Sequence, residues 1–167
     1  RSLTRSKMSP REVLVEINSL FYENVERGHF ISLIFGVFDL ERKRFTFARA
    51  GHNPIISRRK GINQCERLCP AGNALGLESG EIFSKVIQEY SVPIEKGDLF
   101  VLYTDGFSEA MDNSLSQFGE ERLDELVDKC NGAGAAEIIE TIKRRVHSFV
   151  VDSPQHDDMT MVVVRIS

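Results

Sequence analysis

Helical spacing of apolar residues opens the chain. Ser9, Pro10 and Glu12 form a helix-start signal, because serine caps, proline fits the first turn and glutamate completes a capping box. The apolar residues that follow recur every three or four positions: Val13, Ile17, Leu20, Phe21 and Val25. We therefore predict a helix that packs one apolar face on a sheet and ends near Gly28, a residue suited to a C-terminal cap.

Extended patterns dominate the middle of the chain. Phe30–Val37 is nearly continuously apolar, which predicts a strand buried on both faces. The polar residues 39–44 predict a turn, and the residues from Phe45 to Ala50 then alternate as a return strand. Three further strands are predicted: Ile55–Arg58, Ile82–Val92 and Asp98–Tyr103.

The last third of the chain returns to helical spacing. One helix is predicted after Gly119 and a second after Gly134, and the apolar stretch Met159–Ile166 predicts a closing strand. Runs of strands followed by helices, joined by tight turns, indicate an α+β fold rather than a doubly wound parallel sheet. The length of 167 residues fits a single domain over residues 1–167.

Charge, hydropathy and cysteine content argue against several classes of partner and site. A net charge of −4 argues against a nucleic-acid partner, and the basic clusters 42–44 and 58–60 are expected to be solvated hairpin turns. No apolar run approaches the roughly 20 residues of a membrane helix, which argues against a membrane partner. The three cysteines, Cys65, Cys69 and Cys130, have no zinc spacing and are expected to be reduced thiols of a cytoplasmic protein.

Two acidic positions stand at the edges of apolar strands. Asp105 precedes Gly106 at the end of one strand, and the pair Asp157–Asp158 precedes the closing strand. A carboxylate on a rigid strand end can face a cleft, as a hard cation such as Mg²⁺ or Mn²⁺ requires. Turn chemistry alone explains each position and is the favoured interpretation when each is taken singly, because Asp-Gly is a common turn pair. Spacing alone leaves both interpretations open.

Five motifs in order give the chain a family resemblance. They are Ala50-Gly51-His52-Asn53-Pro54, Leu75-Gly76, Gly97–Ala110 with its Thr-Asp-Gly, Phe118-Gly119, and His156–Val164 with its Asp-Asp pair. The sequence resembles the PPM-type metal-dependent serine/threonine protein phosphatases, in their SpoIIE-like (RsbU-like) bacterial branch. The resemblance implies a four-layer α/β/β/α sandwich of two antiparallel sheets flanked by helices.

The resemblance also implies a site. Asp105 and Asp157 would be carboxylate ligands of a two-metal centre of Mn²⁺ or Mg²⁺, which activates a water for attack on a phosphoserine or phosphothreonine. Asp158 would orient the ligand beside it. Gly106 and Glu109 are the accessory candidates, with Glu109 near an additional metal or simply a solvated turn residue. We expect His52 to be a hydrogen-bonded turn histidine rather than a general acid.

The chain departs from the family pattern at its start. Relatives open with an Asp-bearing strand and a Gly-His-Gly element, neither of which precedes the helix here. We therefore expect an N-terminally incomplete domain that lacks its first strands and is inactive or very weak alone. A trimmed piece of a full phosphatase is the favoured explanation, and a natural pseudo-phosphatase is the other. Strand edges left exposed in this way can pair with a second copy, which predicts a homodimer.

The implied role is an output domain in bacterial signalling. The usual target in the family is a STAS-type anti-anti-sigma factor, and a sensor or receiver domain often stands upstream, so sigma-factor regulation is the expected context. Two alternatives remain. The chain could be a catalytically dead module that regulates by docking a partner, or an α+β domain whose aspartates only build turns.

Overall fold

The computed structural model describes residues 8–26, 28–130, 132–151 and 157–167, and the chain divides into two compact units. The first unit holds the residues up to His52 together with Cys69–Ile94, and the second holds Asn53–Leu68 together with the residues from Glu95 onward. The prediction of a single domain over residues 1–167 stays a prediction.

The first unit is a three-stranded antiparallel sheet with two helices. Its strand order is β1-β2-β5, and its elements are α1 (Pro10–Asn24), β1 (Leu33–Asp39), β2 (Arg44–Ala50), α2 (Gly80–Val86) and β5 (Glu89–Pro93). Helix α1 packs against the central strand β2 and against β1, and α2 packs against α1. The buried residues of this core include Leu14, Ala48, Ala50, Leu75, Phe83 and Ile87.

The capping box at the start of α1 is confirmed. The Ser9 hydroxyl accepts a hydrogen bond from the Glu12 amide at 3.3 Å, and the Glu12 carboxylate accepts one from the Ser9 amide at 2.8 Å. The predicted end at Gly28 is wrong, because α1 ends at Asn24 and its C-cap is Val25. Gly28 instead lies in a later turn with a φ of +95°, a conformation that favours glycine.

Two strand predictions in this unit are wrong in informative ways. We predicted that β1 is buried on both faces, but it lies at the edge of its sheet and is partly exposed, most of all at Gly36 and Val37. The predicted strand Ile82–Val92 is helix α2 followed by β5. Phe83 and Ile87 are both buried and stand four residues apart, so the helical period decides this segment.

The second unit is a four-stranded antiparallel sheet with two helices. Its strand order is β4-β3-β6-β7, and its elements are β3 (Ile55–Arg58), β4 (Glu66–Leu68), β6 (Leu99–Tyr103), α3 (Glu120–Lys129), α4 (Ala135–Val150) and β7 (Met161–Arg165). β4 is the element that the sequence did not predict. The helices cover the sheet through a core that includes Ile56, Val101, Tyr103, Leu123, Ile138 and Ile142.

A buried aspartate secures the start of β6. The Asp98 side chain is 1% exposed and accepts hydrogen bonds from the amides of Lys60 at 2.8 Å and Glu95 at 2.9 Å. Arg59 Nε lies 3.0 Å from Asp98 Oδ2, close enough for an ion pair although not aligned as a hydrogen bond. The expectation of a solvated cluster at 58–60 is therefore wrong for Arg58 and Arg59, whose side chains are only 11% and 19% exposed.

The observed elements confirm the predicted fold class. The chain is α+β, with two antiparallel sheets that each carry helices. Among the residues that the structure describes, no helix has the length and apolar character that crossing a membrane requires.

Candidate active site

Pairing of β6 with β7 brings the two acidic motifs together at one end of this strand pair. β6 and β7 are antiparallel with Tyr103 opposite Met161, so the residues after β6 lie beside those before β7. Beyond the ladder, the Thr104 amide donates to the Thr160 carbonyl at 3.0 Å. The Thr104 hydroxyl donates to the Asp158 carbonyl at 2.8 Å and accepts from the Thr160 amide at 2.9 Å. Asp105 therefore follows directly on a segment bonded to Asp158.

Gly106 is the point of closest approach between the two motifs. A Cβ at this position would lie 2.6 Å from the carbonyl oxygen of Asp158 and 3.3 Å from that of Asp157. The first distance is shorter than side-chain carbons tolerate, so the contact requires glycine. This gives the Asp-Gly pair a physical reason beyond turn formation.

Asp105 and Asp158 are held through their backbone carbonyls, and all three aspartates keep their side chains at the surface. The Asp105 carbonyl accepts hydrogen bonds from the Glu109 amide at 2.8 Å and the Ser108 hydroxyl at 3.1 Å. The Asp158 amide donates to Asp157 Oδ1 at 2.7 Å, which orients that carboxylate. Asp105, Asp157 and Asp158 are all exposed. Fixed backbones with exposed carboxylates suit the binding of a cation from solvent.

The donors present fit part of a metal site. Carboxylate oxygens are the ligands that Mg²⁺ and Mn²⁺ prefer, and such ions take about six of them. Within the described residues, however, no group of three or more His, Cys, Asp or Glu side chains could hold a metal ion. Asp105 and Asp157 therefore fit in kind and position, but they supply only a fraction of a coordination shell.

A cavity of about 800 Å³ opens beside these aspartates. Of the predicted residues, Gly106, Glu109 and Asp157 line it, while Asp105 and Asp158 lie outside its lining. A further part of the lining, the α4 wall, carries Lys143, Arg144 and His147, together with apolar residues. Sequence reasoning missed this wall because these residues belong to no motif. Their spacing on a predicted helix was the one available signal.

A polar cluster of Arg67, Asp124 and Tyr103 holds the C-terminal end of β6. The Arg67 guanidinium binds both carboxylate oxygens of Asp124, at 2.9 and 2.8 Å, and donates to the Tyr103 hydroxyl at 2.8 Å. Burial raises the pKa of Tyr103, and the Arg67 charge opposes that rise. The phenol therefore stays neutral and fixed, two residues before Asp105.

The histidines contribute little to this picture. His52 lies in the first unit, where its carbonyl accepts a hydrogen bond from the Arg49 guanidinium. This contact agrees with the turn role expected of the Gly-His-Asn-Pro segment. His156, which opens the closing motif, lies outside the described residues. His147 is the histidine that lines the cavity.

The fold is that of the PP2C-type (PPM) phosphatase domains. The SiaA-PP2C domain of Pseudomonas aeruginosa matches with a TM-score of 0.81 at 21% identity, over 95% of this chain and 61% of that one. The phosphatase domain of the cell fate determinant SpoIIE from Bacillus subtilis, presoaked with Mn, matches with a TM-score of 0.67 at 20% identity, over 97% of this chain and 68% of that one.

The chain belongs to the SpoIIE family, because all of residues 1–167 match the family described as stage II sporulation protein E. Protein IcfG of Synechocystis sp. is 32% identical over 143 residues, which are 85% of this chain and 22% of that protein. Phosphoserine phosphatase RsbU of B. subtilis is 27% identical over 165 residues, which are 98% of this chain and 47% of that protein. The chain thus spans less than half the length of each curated relative. The family resemblance predicted from the five motifs is confirmed.

Proposed function

We propose that the chain is the metal-dependent phosphatase domain of a bacterial signalling protein and removes phosphate from phosphoserine or phosphothreonine. The carrying observation is the backbone lock between Thr104–Gly106 and Asp157–Thr160, which holds the aspartates of two family motifs at one edge. Membership of the SpoIIE family supports the reaction class.

The aspartates have distinct proposed roles. Asp105 and Asp157 hold a divalent cation, Mn²⁺ or Mg²⁺, through exposed carboxylates on fixed backbones. Such a cation supplies Lewis-acid activation of a water at neutral pH. Asp158 positions Asp157 through its amide, and Gly106 permits the close approach. Glu109 is exposed on the cavity wall, where it is available as an accessory ligand.

The proposed substrate is a phosphorylated regulator protein of the STAS anti-anti-sigma type. The relative named phosphoserine phosphatase RsbU, of which this chain matches 47%, supports phosphoserine as the target group, and the STAS type follows from the family resemblance alone. A sensor or receiver domain acting on the phosphatase, and homodimer formation, belong to the same proposal. The cytoplasm is the compartment that such a regulator implies.

One observation favours the competing proposal of a docking module. The described residues hold no group of three metal-binding side chains, so this part of the chain alone is a weak metal site. A catalytically dead domain would keep the fold and bind a partner without turnover. For the same reason we expect the 167-residue chain alone to be inactive or very weak.

The test is Mn²⁺-dependent hydrolysis of p-nitrophenyl phosphate and of a phosphoserine peptide by the full-length protein. We expect Asp105→Asn and Asp157→Asn each to lower kcat/KM at least about 100-fold, since even partners of metal ligands typically matter 10- to 100-fold. Asp39→Asn is the matched control, because Asp39 lies in a surface hairpin and its Oδ1 accepts from the Arg42 amide, as an asparagine oxygen also can.

Each result decides between the two proposals. Metal-dependent turnover that is lost in both site variants and kept in the control supports the phosphatase. A folded full-length protein without turnover, or with turnover that neither variant changes, contradicts the proposed site. The first of these outcomes favours the docking module.

A further inference from the structure

The cavity beside the candidate ligands is also lined by α4, a helix that contains none of the five family motifs. Its α4 side is lined by Glu140, Lys143, Arg144, Val146, His147 and Val150. These positions span about 15 Å, because an α-helix rises about 1.5 Å per residue. An extended peptide advances about 3.3 Å per residue, so the wall matches four or five residues of such a chain. It is longer than a single phosphoserine needs.

The two basic side chains of this wall, Lys143 and Arg144, differ in whether they form an ion pair. Lys143 Nζ lies 3.1 Å from Glu140 Oε1, so its charge is partly balanced within the helix. Arg144 is exposed and forms no ion pair with any residue that the structure describes. With respect to the described residues, its guanidinium is therefore uncommitted, and it lines the cavity. Such a group binds carboxylates and phosphates through two parallel hydrogen bonds.

Apolar side chains also line the cavity. They are Met111 and Met159, together with Val146 and Val150 of α4. Ligand sites of this kind combine an apolar lining with a few polar groups that fix orientation. Asp157, one of the two candidate cation ligands, lines the same cavity. Arg144 and this candidate ligand therefore border one space.

We infer that the α4 wall binds an acidic segment of the phosphoprotein substrate, with Arg144 pairing a carboxylate close to the phosphorylated serine. This inference rests on the proposed phosphatase function and specifies its substrate. With the phosphate at the aspartate side, the neighbouring residues run along α4. Lys143 and His147 line the same side of the cavity, and its apolar side chains contact the aliphatic parts of the segment.

The exposure of Arg144 determines how strongly its pairing with a substrate carboxylate should affect binding. Because Arg144 is on the surface, its pairing contributes modestly to affinity and more to the rate of encounter. Reversing its charge replaces attraction by repulsion, so an effect of about tenfold is expected. Salt should weaken the preference, since the Debye length falls from about 10 Å at 0.1 M to about 3 Å at 1 M.

The experiment uses the full-length protein and four labelled peptides of nine residues. Two carry a central phosphoserine and two a central serine, and each pair has either Asp/Glu or Asn/Gln flanks. Fluorescence anisotropy measures binding of the serine peptides, which are not consumed. Phosphate release gives kcat/KM for the phosphoserine peptides. Wild type should favour the acidic member of each pair, and Arg144→Glu should reduce that preference about tenfold.

The neighbouring arginine supplies the control. Arg145 is equally exposed on α4 but does not line the cavity, so Arg145→Glu makes the same charge change and should keep the preference. Arg144→Gln should lose part of it, and this milder variant replaces Arg144→Glu if the latter folds poorly. Equal binding of acidic and neutral peptides by wild type, or equal losses in the Arg144 and Arg145 variants, would overturn the inference. Because binding of the serine peptides needs no turnover, failure of the phosphatase proposal is recognised separately.

Discussion

Two aspartates at opposite ends of β6 have opposite surroundings. Asp98, just before the strand, is buried and engaged by two backbone amides and Arg59. Asp105, just after it, is exposed, and its carbonyl rather than its carboxylate receives the local hydrogen bonds. No described residue donates a hydrogen bond to the Asp105 side chain.

The difference separates a structural carboxylate from an available one. A buried charge must be paired and hydrogen-bonded, so the chain itself supplies the partners of Asp98. An exposed carboxylate on a fixed backbone has room for a partner from solvent. The hydrogen bonds are on the carboxylate of Asp98 but on the backbone of Asp105, and this difference supports the proposal that the Asp105 carboxylate binds a cation.

Asp98→Ala should have the largest effect on stability. It leaves two backbone amides and Arg59 without their acceptor in a buried place, and breaking such a pair typically costs about 3–5 kcal/mol. Asp105→Ala should change the free energy of unfolding by no more than about 0.5 kcal/mol, as usual for a surface site. Urea denaturation followed by circular dichroism measures both.

Asp105→Ala should have the larger effect on activity, because it removes a candidate metal ligand and leaves the fold stable. The comparison breaks down if Asp105→Ala destabilises the protein as much as Asp98→Ala does. In that case the Asp105 side chain would have a structural role, and the turn interpretation of the Asp-Gly pair would gain support.

Gly106→Ala should have an intermediate effect. Its Cβ would lie 2.6 Å from the Asp158 carbonyl, so the segment that carries Asp157 must shift. Overpacking of this kind typically costs about 1–3 kcal/mol. We expect that loss by urea denaturation, with a larger fractional loss of Mn²⁺-dependent activity. Gly134→Ala is the control, since a Cβ there meets nothing within 4 Å. Equal effects at both glycines would contradict the close approach.

The sequence predicted those parts of the fold that local signals determine. The capping box of α1, the hairpin between β1 and β2, and the strands β3, β6 and β7 all follow from capping residues and side-chain periodicity. Exposure of β1 and the helix in Gly80–Val86 were missed. Strand exposure depends on position in the sheet, which tertiary pairing decides, and Phe83 and Ile87 fit either period until burial is known.

For the site, the sequence predicted the aspartates but not what surrounds them. Asp105 and Asp157 came from motifs, and the lock that joins them depends on Thr104 and Gly106 contacting carbonyls more than fifty residues away. Such contacts are invisible to spacing. Arg144 was missed for a related reason, because only the packing of α4 brings it to the cavity.

The half-buried thiol of Cys65, in the second unit, offers the test with the smallest expected effect. Burial, reinforced by Asp124 and Asp128, raises the pKa of Cys65 from 9.0 to about 12. The thiol ionises more readily in the unfolded chain, so its contribution to stability is complete below pH 9 and is lost as the pH rises toward 12. Because Cys65 is only partly buried, we expect a loss of at most about 1 kcal/mol in the free energy of unfolding between pH 8 and pH 10.

Cys65→Ser should flatten this dependence of stability on pH, measured by urea denaturation, whereas Cys69→Ser, at an exposed thiol, should leave it unchanged. A slope that survives Cys65→Ser would show that another group, such as Tyr103 with its raised pKa, governs alkaline stability.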